Sequence, residues 1–343
     1  MTPKIMIILG SGSDIAIAEK SMDVLDKLEI PYSLKIASAH RTPNLVREIV
    51  REGTKAGVEV FIGIAGLAAH LPGAIAAYTP RPVIGVPVDV KTDGIDALES
   101  IVQMPYPSPI ATVGIDRGDN AAILAAQFIA VHDEEVRQKV IKLRKEYATK
   151  VIKSNDELVN PIERPYLQND FINVNNLNLE DDEAAELPFD EEAYENADAE
   201  IAIIVGRQTD VVTAKKVSVI LNRLRLIHDI RVICPIRSTK KFRNYVKTME
   251  NAKIFIGISS NSSQVTGGLV GLTDRPVIGV PCINETGKDY MLTTVSMPPG
   301  VPVATVGINN GRNAAVLAGE ILSISNPQIT QRLGTLKNKK LNL

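Results

Sequence analysis

The most constraining feature of this sequence is a long pattern that occurs twice. The hexapeptide Pro82–Pro87 recurs unchanged at Pro276–Pro281. Three shorter motifs recur in the same order: Ala111–Ile115 at Ala304–Ile308, Met104-Pro105 at Met297-Pro298, and Asn120–Ala122 at Asn313–Ala315. The period is far longer than the roughly 20–50 residues of solenoid repeats. The sequence therefore predicts one whole domain present in two tandem copies.

The length and one change in composition predict where these domains lie. A chain of 343 residues exceeds what one hydrophobic core usually supports, and an apolar fraction of 45% gives two domains ordinary cores. Residues 180–200 contain eleven acidic side chains and no Lys or Arg, which is typical of a solvated linker. We predict a first domain over 1–147, an acidic linker over 148–198 and a second domain over 199–343.

Short apolar runs alternate with helix-like segments in the first copy. The apolar runs are Ile5–Leu9, Tyr32–Ala37, Val58–Ile64, Val83–Val86 and Ile110–Ile115. Continuous runs of this length are typical of strands buried on both faces. Their alternation with helices predicts an α/β three-layer sandwich with a parallel sheet, present twice in the chain. Ligands of such sheets bind beyond the carboxyl ends of the strands.

Composition and charge exclude several classes of partner. The net charge is −2, only 4% of residues are aromatic and there is no Trp, so we expect no nucleic-acid partner. The N-terminus lacks a signal peptide and no apolar run is long enough to cross a bilayer, so we expect no membrane partner and a soluble cytoplasmic protein. Cys234 and Cys282 match no metal or redox spacing, and we expect both to be small buried hydrophobic residues.

The segment Ser38–Pro43 places four side chains that can bind or protonate a ligand in one short turn after a predicted strand. Imidazole, here His40, exchanges protons near neutral pH, and the guanidinium of Arg41 binds an anion such as phosphate through two parallel bonds. Ser38 and Thr42 add hydroxyl donors. The alternative is that His40 caps or packs against a helix while Arg41 is an ordinary surface charge. Alone, the segment leaves both interpretations open.

Two further turns fall at the same edge of the predicted sheet. Gly10–Asp14 leads from a strand into a helix, where backbone amides favour an anion and Asp14 suits a ribose hydroxyl. Gly63–Gly73 is rich in small residues and carries His70. The alternatives are an ordinary connection with Ser13 or Asp14 as the helix N-cap, and a histidine that only packs.

The second copy keeps the scaffold but neither histidine. In the aligned segments His40 becomes Ile236 and His70 becomes Gln264, whereas Arg41 has its counterpart in Arg237. The first turn, Gly206–Asp210 in this copy, keeps its glycine and its acid. Because a duplicated domain folds without the two histidines, we infer that those of the first copy serve function rather than folding.

Five motifs together resemble the PurE family of purine biosynthesis: GSGSD at Gly10, SAHRTP at Ser38, AAHLPG at Ala68, PVIGVPV at Pro82 and SIVQMP at Ser100. The members are carboxyaminoimidazole ribonucleotide mutases and aminoimidazole ribonucleotide carboxylases. The resemblance covers about residues 3–147 and, weakly, 199–338. It implies a flavodoxin-like fold and an octameric assembly, which here would be a homotetramer carrying eight domains.

The resemblance also implies a small-molecule imidazole ribonucleotide substrate, carbon dioxide, and no ATP, biotin or metal. The residues it assigns are His40 as general acid/base, His70 beside the base, Ser11, Ser13, Ser38 and Arg41 at the phosphate, Asp14 at the ribose, and Ala68 and Leu71 in the wall of the site. The reaction is transfer of a carboxylate from the exocyclic nitrogen to a ring carbon.

Two departures from the family pattern leave alternatives open. Leu67 stands where the family usually has glycine, and the loop after Pro87 is one residue shorter and more charged. The motifs favour a mutase, with direct carboxylation of aminoimidazole ribonucleotide as the first alternative. A non-catalytic nucleotide-binding regulator is the second alternative, which the loss of both histidines from the second copy favours.

Overall fold

The computed structural model describes residues 2–159, 161–168, 172, 174, 177 and 198–341. Most of the predicted acidic run, 180–197, lies outside the described residues. The first copy contains β1 (Ile5–Leu9), α1 (Ile15–Lys27), β2 (Tyr32–Ile36), α2 (Pro43–Lys55), β3 (Val60–Gly66), α3 (Leu71–Tyr78), β4 (Val83–Val88), α4 (Ile95–Val102), β5 (Ala111–Thr112), α5 (Gly118–Ala130) and α6 (Glu134–Ser154).

The second copy repeats this order. It contains β6 (Ile201–Val205), α7 (Val211–Leu224), β7 (His228–Val232), α8 (Thr239–Thr248), β8 (Ile254–Ser259), α9 (Gln264–Leu272), β9 (Val277–Pro281), α10 (Met291–Val295), β10 (Ala304–Thr305), α11 (Gly311–Ser323) and α12 (Pro327–Leu341). The alternation of strands and helices predicted for the first copy is therefore confirmed in both.

The strands of the described residues form one ten-stranded sheet in the order β2-β1-β3-β4-β5-β10-β9-β8-β6-β7. Each copy contributes five parallel strands, as predicted. The two sets meet at β5 and β10, which pair antiparallel through Thr112 and Thr305. Nothing in the sequence pattern predicts that the two parallel sheets join into one. Because the joint is antiparallel, the carboxyl ends of the two strand sets face opposite edges of the sheet.

Helices α5 and α11 lie beside this joint and are buried along their whole lengths. Both are apolar around almost their entire circumference, as expected of helices without a solvent face. Gly118 begins α5 where it crosses α1, and a Cβ there would collide with the carbonyl oxygen of Ile17. Glycine is required at this close approach of two backbones.

Repeated motifs of the sequence form the contacts across the joint. Asn120 Nδ2 donates to the carbonyl oxygens of Met297 and Pro298 at 3.2 and 3.0 Å. In the reciprocal contact, Asn313 Nδ2 donates to the carbonyl oxygen of Met104 at 3.0 Å. The Met-Pro and Asn-Ala-Ala motifs therefore serve as acceptor and donor in both directions, which relates the copies by an approximate two-fold axis.

Helix α6 extends the first copy onto the second. Its predicted apolar stripe of Val136, Val140 and Leu143 is buried. Arg137 Nε donates to Asp274 Oδ2 of the second copy at 2.7 Å, and both side chains are about three-quarters buried. The helix continues to Ser154, past the domain boundary predicted at residue 147.

None of the helices among the described residues has both the length and the apolar character needed to cross a membrane.

Candidate functional site

A cleft of about 490 Å³ lies at the carboxyl ends of β1 and β3 and beside the turn that follows β2. This is the edge at which a parallel α/β sheet collects its ligands. All nine predicted site residues line it: Ser11, Ser13, Asp14, Ser38, His40, Arg41, Ala68, His70 and Leu71. The structure thus brings together three turns that are distant in sequence, while the individual roles of these residues stay predictions.

The turn after β1 presents hydroxyl groups and one carboxylate. Ser13 Oγ donates to Asp14 Oδ1 at 2.9 Å, and the backbone N–H of Ser13 points to Ser11 Oγ at 3.4 Å. Asp14 is only 6% exposed and stands at the head of α1. Its burial and its bond to Ser13 fix the carboxylate in one orientation at the wall of the cleft.

The turn after β2 is closed by its own side chains. The backbone N–H of Ser38 donates to Thr42 Oγ1 at 3.0 Å, and the N–H of Arg41 donates to Ser38 Oγ at 3.2 Å. Arg41 Nη2 reaches the carbonyl oxygen of Gly10 at 3.4 Å, which links this turn to the first one. The guanidinium remains exposed, so most of its donors face the cleft or solvent.

The two histidines of the first copy come together in the cleft. The ring centroids of His40 and His70 are 5.9 Å apart with an angle of 23° between the ring planes. Both residues are exposed. Two accessible imidazoles beside a guanidinium form an arrangement suited to proton transfer on an anionic ligand.

Leu67 and Val90 narrow the cleft from two sides. Leu67 has a φ of 57°, the left-handed conformation that favours glycine, which explains why the family pattern has glycine at this position. Its side chain is 47% exposed at the rim. Val90, in the loop after β4, lies so close that a Cβ on Gly66 would be 2.5 Å from its Cγ2. Val90 was not predicted to line the cleft, because a single apolar residue in a charged loop does not indicate a ligand contact.

The second copy has a smaller cleft at the equivalent place, on the opposite edge of the sheet. Its volume is about 250 Å³, and its lining consists of Arg207, Cys234, Ile236, Arg237, Asn261 and Gln264. The counterpart of Asp14 does not line it. Asp210 Oδ2 instead accepts the backbone N–H and the hydroxyl of Ser260 at 3.1 and 2.9 Å.

The prediction that both cysteines are buried is correct for Cys282 and wrong for Cys234. Cys282 is 2% exposed, and burial raises its pKa to about 11. Cys234 is half-buried in the second cleft. Partial burial alone would raise the pKa of the Cys234 thiol, but hydrogen bonds from the backbone and side chain of Arg237 outweigh it and the pKa is lowered. Cys234 occupies the position of Ser38, which is also half-buried in the turn after its strand.

The described residues contain no cluster of three or more His, Cys, Asp or Glu side chains arranged to hold a metal ion. The donor groups of the first cleft are hydroxyls, one carboxylate, one guanidinium and two imidazoles. These groups suit an organic phosphate better than a metal cage.

Comparisons with known proteins agree with this geometry. A family model described as AIR carboxylase matches residues 4–150 and 200–342. The chain is 69% identical to a probable N5-carboxyaminoimidazole ribonucleotide mutase of Methanobrevibacter smithii, with 100% of both chains covered. It is 49% identical to a protein of the same name from Methanothermobacter thermautotrophicus, with 99% of both covered.

A shorter relative covers one copy only. The N5-carboxyaminoimidazole ribonucleotide mutase of Methanocaldococcus jannaschii is 54% identical over 154 residues, which are 45% of this chain and 96% of that protein. The matched regions of the family model correspond to the two copies found from the internal repeat and in the sheet. The chain therefore belongs to the AIR carboxylase family, the PurE family that its motifs resemble, and carries the family's domain twice.

Proposed function

We propose that this protein is an N5-carboxyaminoimidazole ribonucleotide mutase that acts through its first cleft. The observation that carries the proposal is the pair of exposed histidines, 5.9 Å apart, beside Arg41 and the serine turns. Two relatives that match this chain over nearly its whole length carry the same name. The second cleft has Ile236 and Gln264 at the histidine positions, and its lining contains no imidazole.

In this proposal the substrate lies across the cleft from phosphate to base. Arg41 and the hydroxyls of Ser11, Ser13 and Ser38 bind the phosphate, since a guanidinium and several donors suit a dianion. Asp14 accepts a hydrogen bond from a ribose hydroxyl, because its carboxylate is held in place at the wall. The imidazole ring then lies towards His70, between the small side chain of Ala68 and the apolar Leu71.

The proton balance of the reaction explains why one carrier suffices. The bond between the exocyclic nitrogen and the carboxylate breaks, carbon dioxide is released, and the nitrogen takes up one proton. The ring carbon then attacks the carbon dioxide, and its own proton leaves to restore the aromatic ring. One proton enters and one leaves, so His40 can perform both transfers as general acid and then general base.

Retaining carbon dioxide requires that water and escape routes be excluded while it is free. Leu67 and Val90 supply apolar surface at the rim, where a hydrated loop would let the gas diffuse away. We therefore assign the departure from glycine at Leu67 to closing the cleft. The strain of its left-handed backbone, about 1 kcal/mol, is small beside this benefit.

Two assays test the proposal and separate it from direct carboxylation. Purified protein is incubated without ATP, once with N5-carboxyaminoimidazole ribonucleotide and once with aminoimidazole ribonucleotide plus bicarbonate. A mutase forms the ring-carboxylated product rapidly in the first assay and needs a large excess of bicarbonate in the second. Product formed with equal ease from low bicarbonate would instead favour the carboxylase. No product in either assay would leave only a non-catalytic role.

We also propose that four chains assemble into a closed particle of eight domains. Closed symmetry is the norm for soluble oligomers, and the approximate two-fold joint lets one chain fill two neighbouring positions. Within one chain the two clefts open on opposite edges of the sheet and share no lining residue, so among the described residues neither copy completes the cleft of the other. A solution mass of a monomer or a dimer would contradict this assembly.

A further inference from the structure

The second cleft has lost its proton carriers but gained positive charge. Arg237 keeps the position of Arg41, and Arg207 stands where the first copy has Ser11. Both guanidiniums line the cleft. Their one acidic neighbour among the described ion pairs is Glu285, whose Oε1 lies 3.7 Å from Arg207 Nη2. At that distance the contact is too long for a hydrogen bond and leaves the donors of Arg207 available.

The carboxylate that balances the charge of the arginine in the first cleft does not line the second cleft. Asp14 lines the first cleft together with Arg41. Asp210 is held away from the second cleft by Ser260, which replaces Gly66 and donates twice to the carboxylate. The lining of the second cleft therefore carries two guanidiniums and no carboxylate. Such a concave pair of cations, with only the exposed Glu285 as an acidic neighbour among the described ion pairs, attracts anions.

The remaining lining residues fit an anion that is bound and not converted. The amides of Asn261 and Gln264 offer further N–H donors, and Ile236 contributes only apolar surface. With about 250 Å³, the cleft holds a phosphate and a sugar more readily than a whole imidazole ribonucleotide. We propose that the second cleft is a non-catalytic binding site for a phosphate monoester of sugar-phosphate size, held by Arg207 and Arg237.

Cys234 supplies a local probe of this site. The chain has two cysteines, and Cys234 is the one that lines the cleft. Cys282 is 2% exposed, so a soluble alkylating reagent reaches it slowly. The thiolate of Cys234 attacks iodoacetamide and displaces iodide. A phosphate bound beside Arg237 covers the sulfur and opposes the thiolate charge, so it slows this reaction on both counts.

The experiment measures the rate of Cys234 alkylation in the full chain by mass spectrometry. Inorganic phosphate and ribose 5-phosphate are titrated separately, with ionic strength held constant by potassium chloride. We expect a saturable slowing of at least about fivefold, reached at lower concentration with ribose 5-phosphate. Equal slowing by both ligands at the same concentration would show that the site binds phosphate and makes no use of the sugar, which would overturn the assignment to a sugar phosphate. No slowing, or the same slowing in chloride alone, would overturn the proposal.

Variants connect the protection to the named residues. Arg207→Ser introduces the residue of the first copy and should raise the ligand concentration for half-protection about tenfold or more. Arg207→Gln keeps the length of the side chain and serves if the serine variant folds poorly. Arg41→Ala disrupts the first cleft and should leave protection of Cys234 unchanged. Unaltered protection in both Arg207 variants would assign the effect to another site and overturn the proposal.

The outcome is independent of the proposed enzyme activity, because the readout is alkylation and not turnover. A chain that forms no ring-carboxylated product but shows protection would retain this site. A chain that forms the ring-carboxylated product but whose Cys234 is not protected by either ligand would show that the second cleft is not a binding site.

Discussion

The two copies differ most in the residues that line their clefts and least where the copies meet. Asn120 and Asn313 donate to Met-Pro segments of the opposite copy, and these motifs are identical in both. In the clefts, His40 and His70 correspond to Ile236 and Gln264. At this two-fold joint the Asn-Ala-Ala motif of each copy contacts the Met-Pro motif of the other, so a change in either copy removes contacts that the other needs. The clefts are on opposite edges of the sheet, and one can change without disturbing the other.

A second difference concerns one acid. Asp14 and Asp210 are both 6% exposed at the start of equivalent helices. Asp14 faces the cleft and accepts from Ser13, whereas Asp210 accepts twice from Ser260. The same side chain thus lines the cleft in one copy and ties two loops together in the other. A conserved residue type in a duplicated domain does not by itself indicate a conserved role.

The largest expected effect is on turnover. His40→Asn should lower kcat by about 100-fold to 10,000-fold, the usual contribution of a proton carrier. Binding of the ribonucleotide should persist, because Arg41 and the serine turns remain. Steady-state assays with N5-carboxyaminoimidazole ribonucleotide measure the change.

A histidine of the second copy provides the control. His228 lies on β7, where its ring contacts Ser218 Oγ at 2.7 Å and the carbonyl oxygen of Leu226 at 2.9 Å. His228→Asn should leave kcat unchanged. Retention of a tenth of wild-type turnover by His40→Asn would remove His40 from the catalytic role.

The next effect concerns the joint between copies. Asn120 makes three hydrogen bonds across it, including one from the backbone N–H of Gly300 at 3.0 Å. Asn120→Ala leaves these buried groups without partners and should lower the free energy of unfolding by about 2–3 kcal/mol. Asn313→Ala should lower the free energy of unfolding by somewhat less than Asn120→Ala, since Asn313 Oδ1 accepts no hydrogen bond from the described residues. Denaturant titration measures both.

Asn251→Ala is the matched control for the joint, because this asparagine is exposed in the turn after α8. Its effect should be within about 0.5 kcal/mol. If the joint variants were no less stable than this control, the two-fold contacts would not be what holds the copies together.

A smaller expected effect is a pH dependence of the free energy of unfolding that arises from one residue of the second copy. Glu320 on α11 corresponds to Gln127 on α5, and its carboxylate lies 2.6 Å from Lys337 Nζ. Burial raises the pKa of Glu320 to about 7, although the positive charge and hydrogen bond of Lys337 lower it in part. Because the folded state keeps this proton to higher pH than the unfolded chain, stability is greatest below the unfolded pKa and falls as pH rises to about 7.

Glu320→Gln, which copies the first domain, should remove that dependence. The difference in unfolding free energy between wild type and variant should change by about 2–3 kcal/mol between pH 4 and 8. All other titrating groups are shared, so they cancel in the difference. A difference that is flat with pH would show that the pKa of Glu320 is the same in the folded protein and in the unfolded chain.

The sequence predicted the strands and the site edge because both depend on local patterns. Continuous apolar runs identify strands buried on both faces, and parallel strands bring the turns after them to one edge. The joint was not predictable in this way. The run Ile110–Ile115 is buried almost throughout, but only Ala111 and Thr112 form strand β5, and the chain then turns through the left-handed Asp116.

Apolar content indicates burial but not its cause. Residues around β5 are covered by the second copy, and nothing in their pattern distinguishes this neighbour from a helix of the same domain. Val90 was missed for the related reason that one valine in a polar loop gives no periodicity. Leu67 was recognised only against the family pattern, and its positive φ shows why glycine is common there.

We propose that the chemistry takes place in the first copy alone, and Arg41 and its counterpart Arg237 provide a direct test. The measurement is kcat/KM for N5-carboxyaminoimidazole ribonucleotide in phosphate-free buffer, for Arg41→Ala and for Arg237→Ala. Loss of a charge-assisted contact should lower kcat/KM about 10-fold to 100-fold in Arg41→Ala, while Arg237→Ala should stay within about twofold of wild type. Equal losses in the two variants would contradict the account.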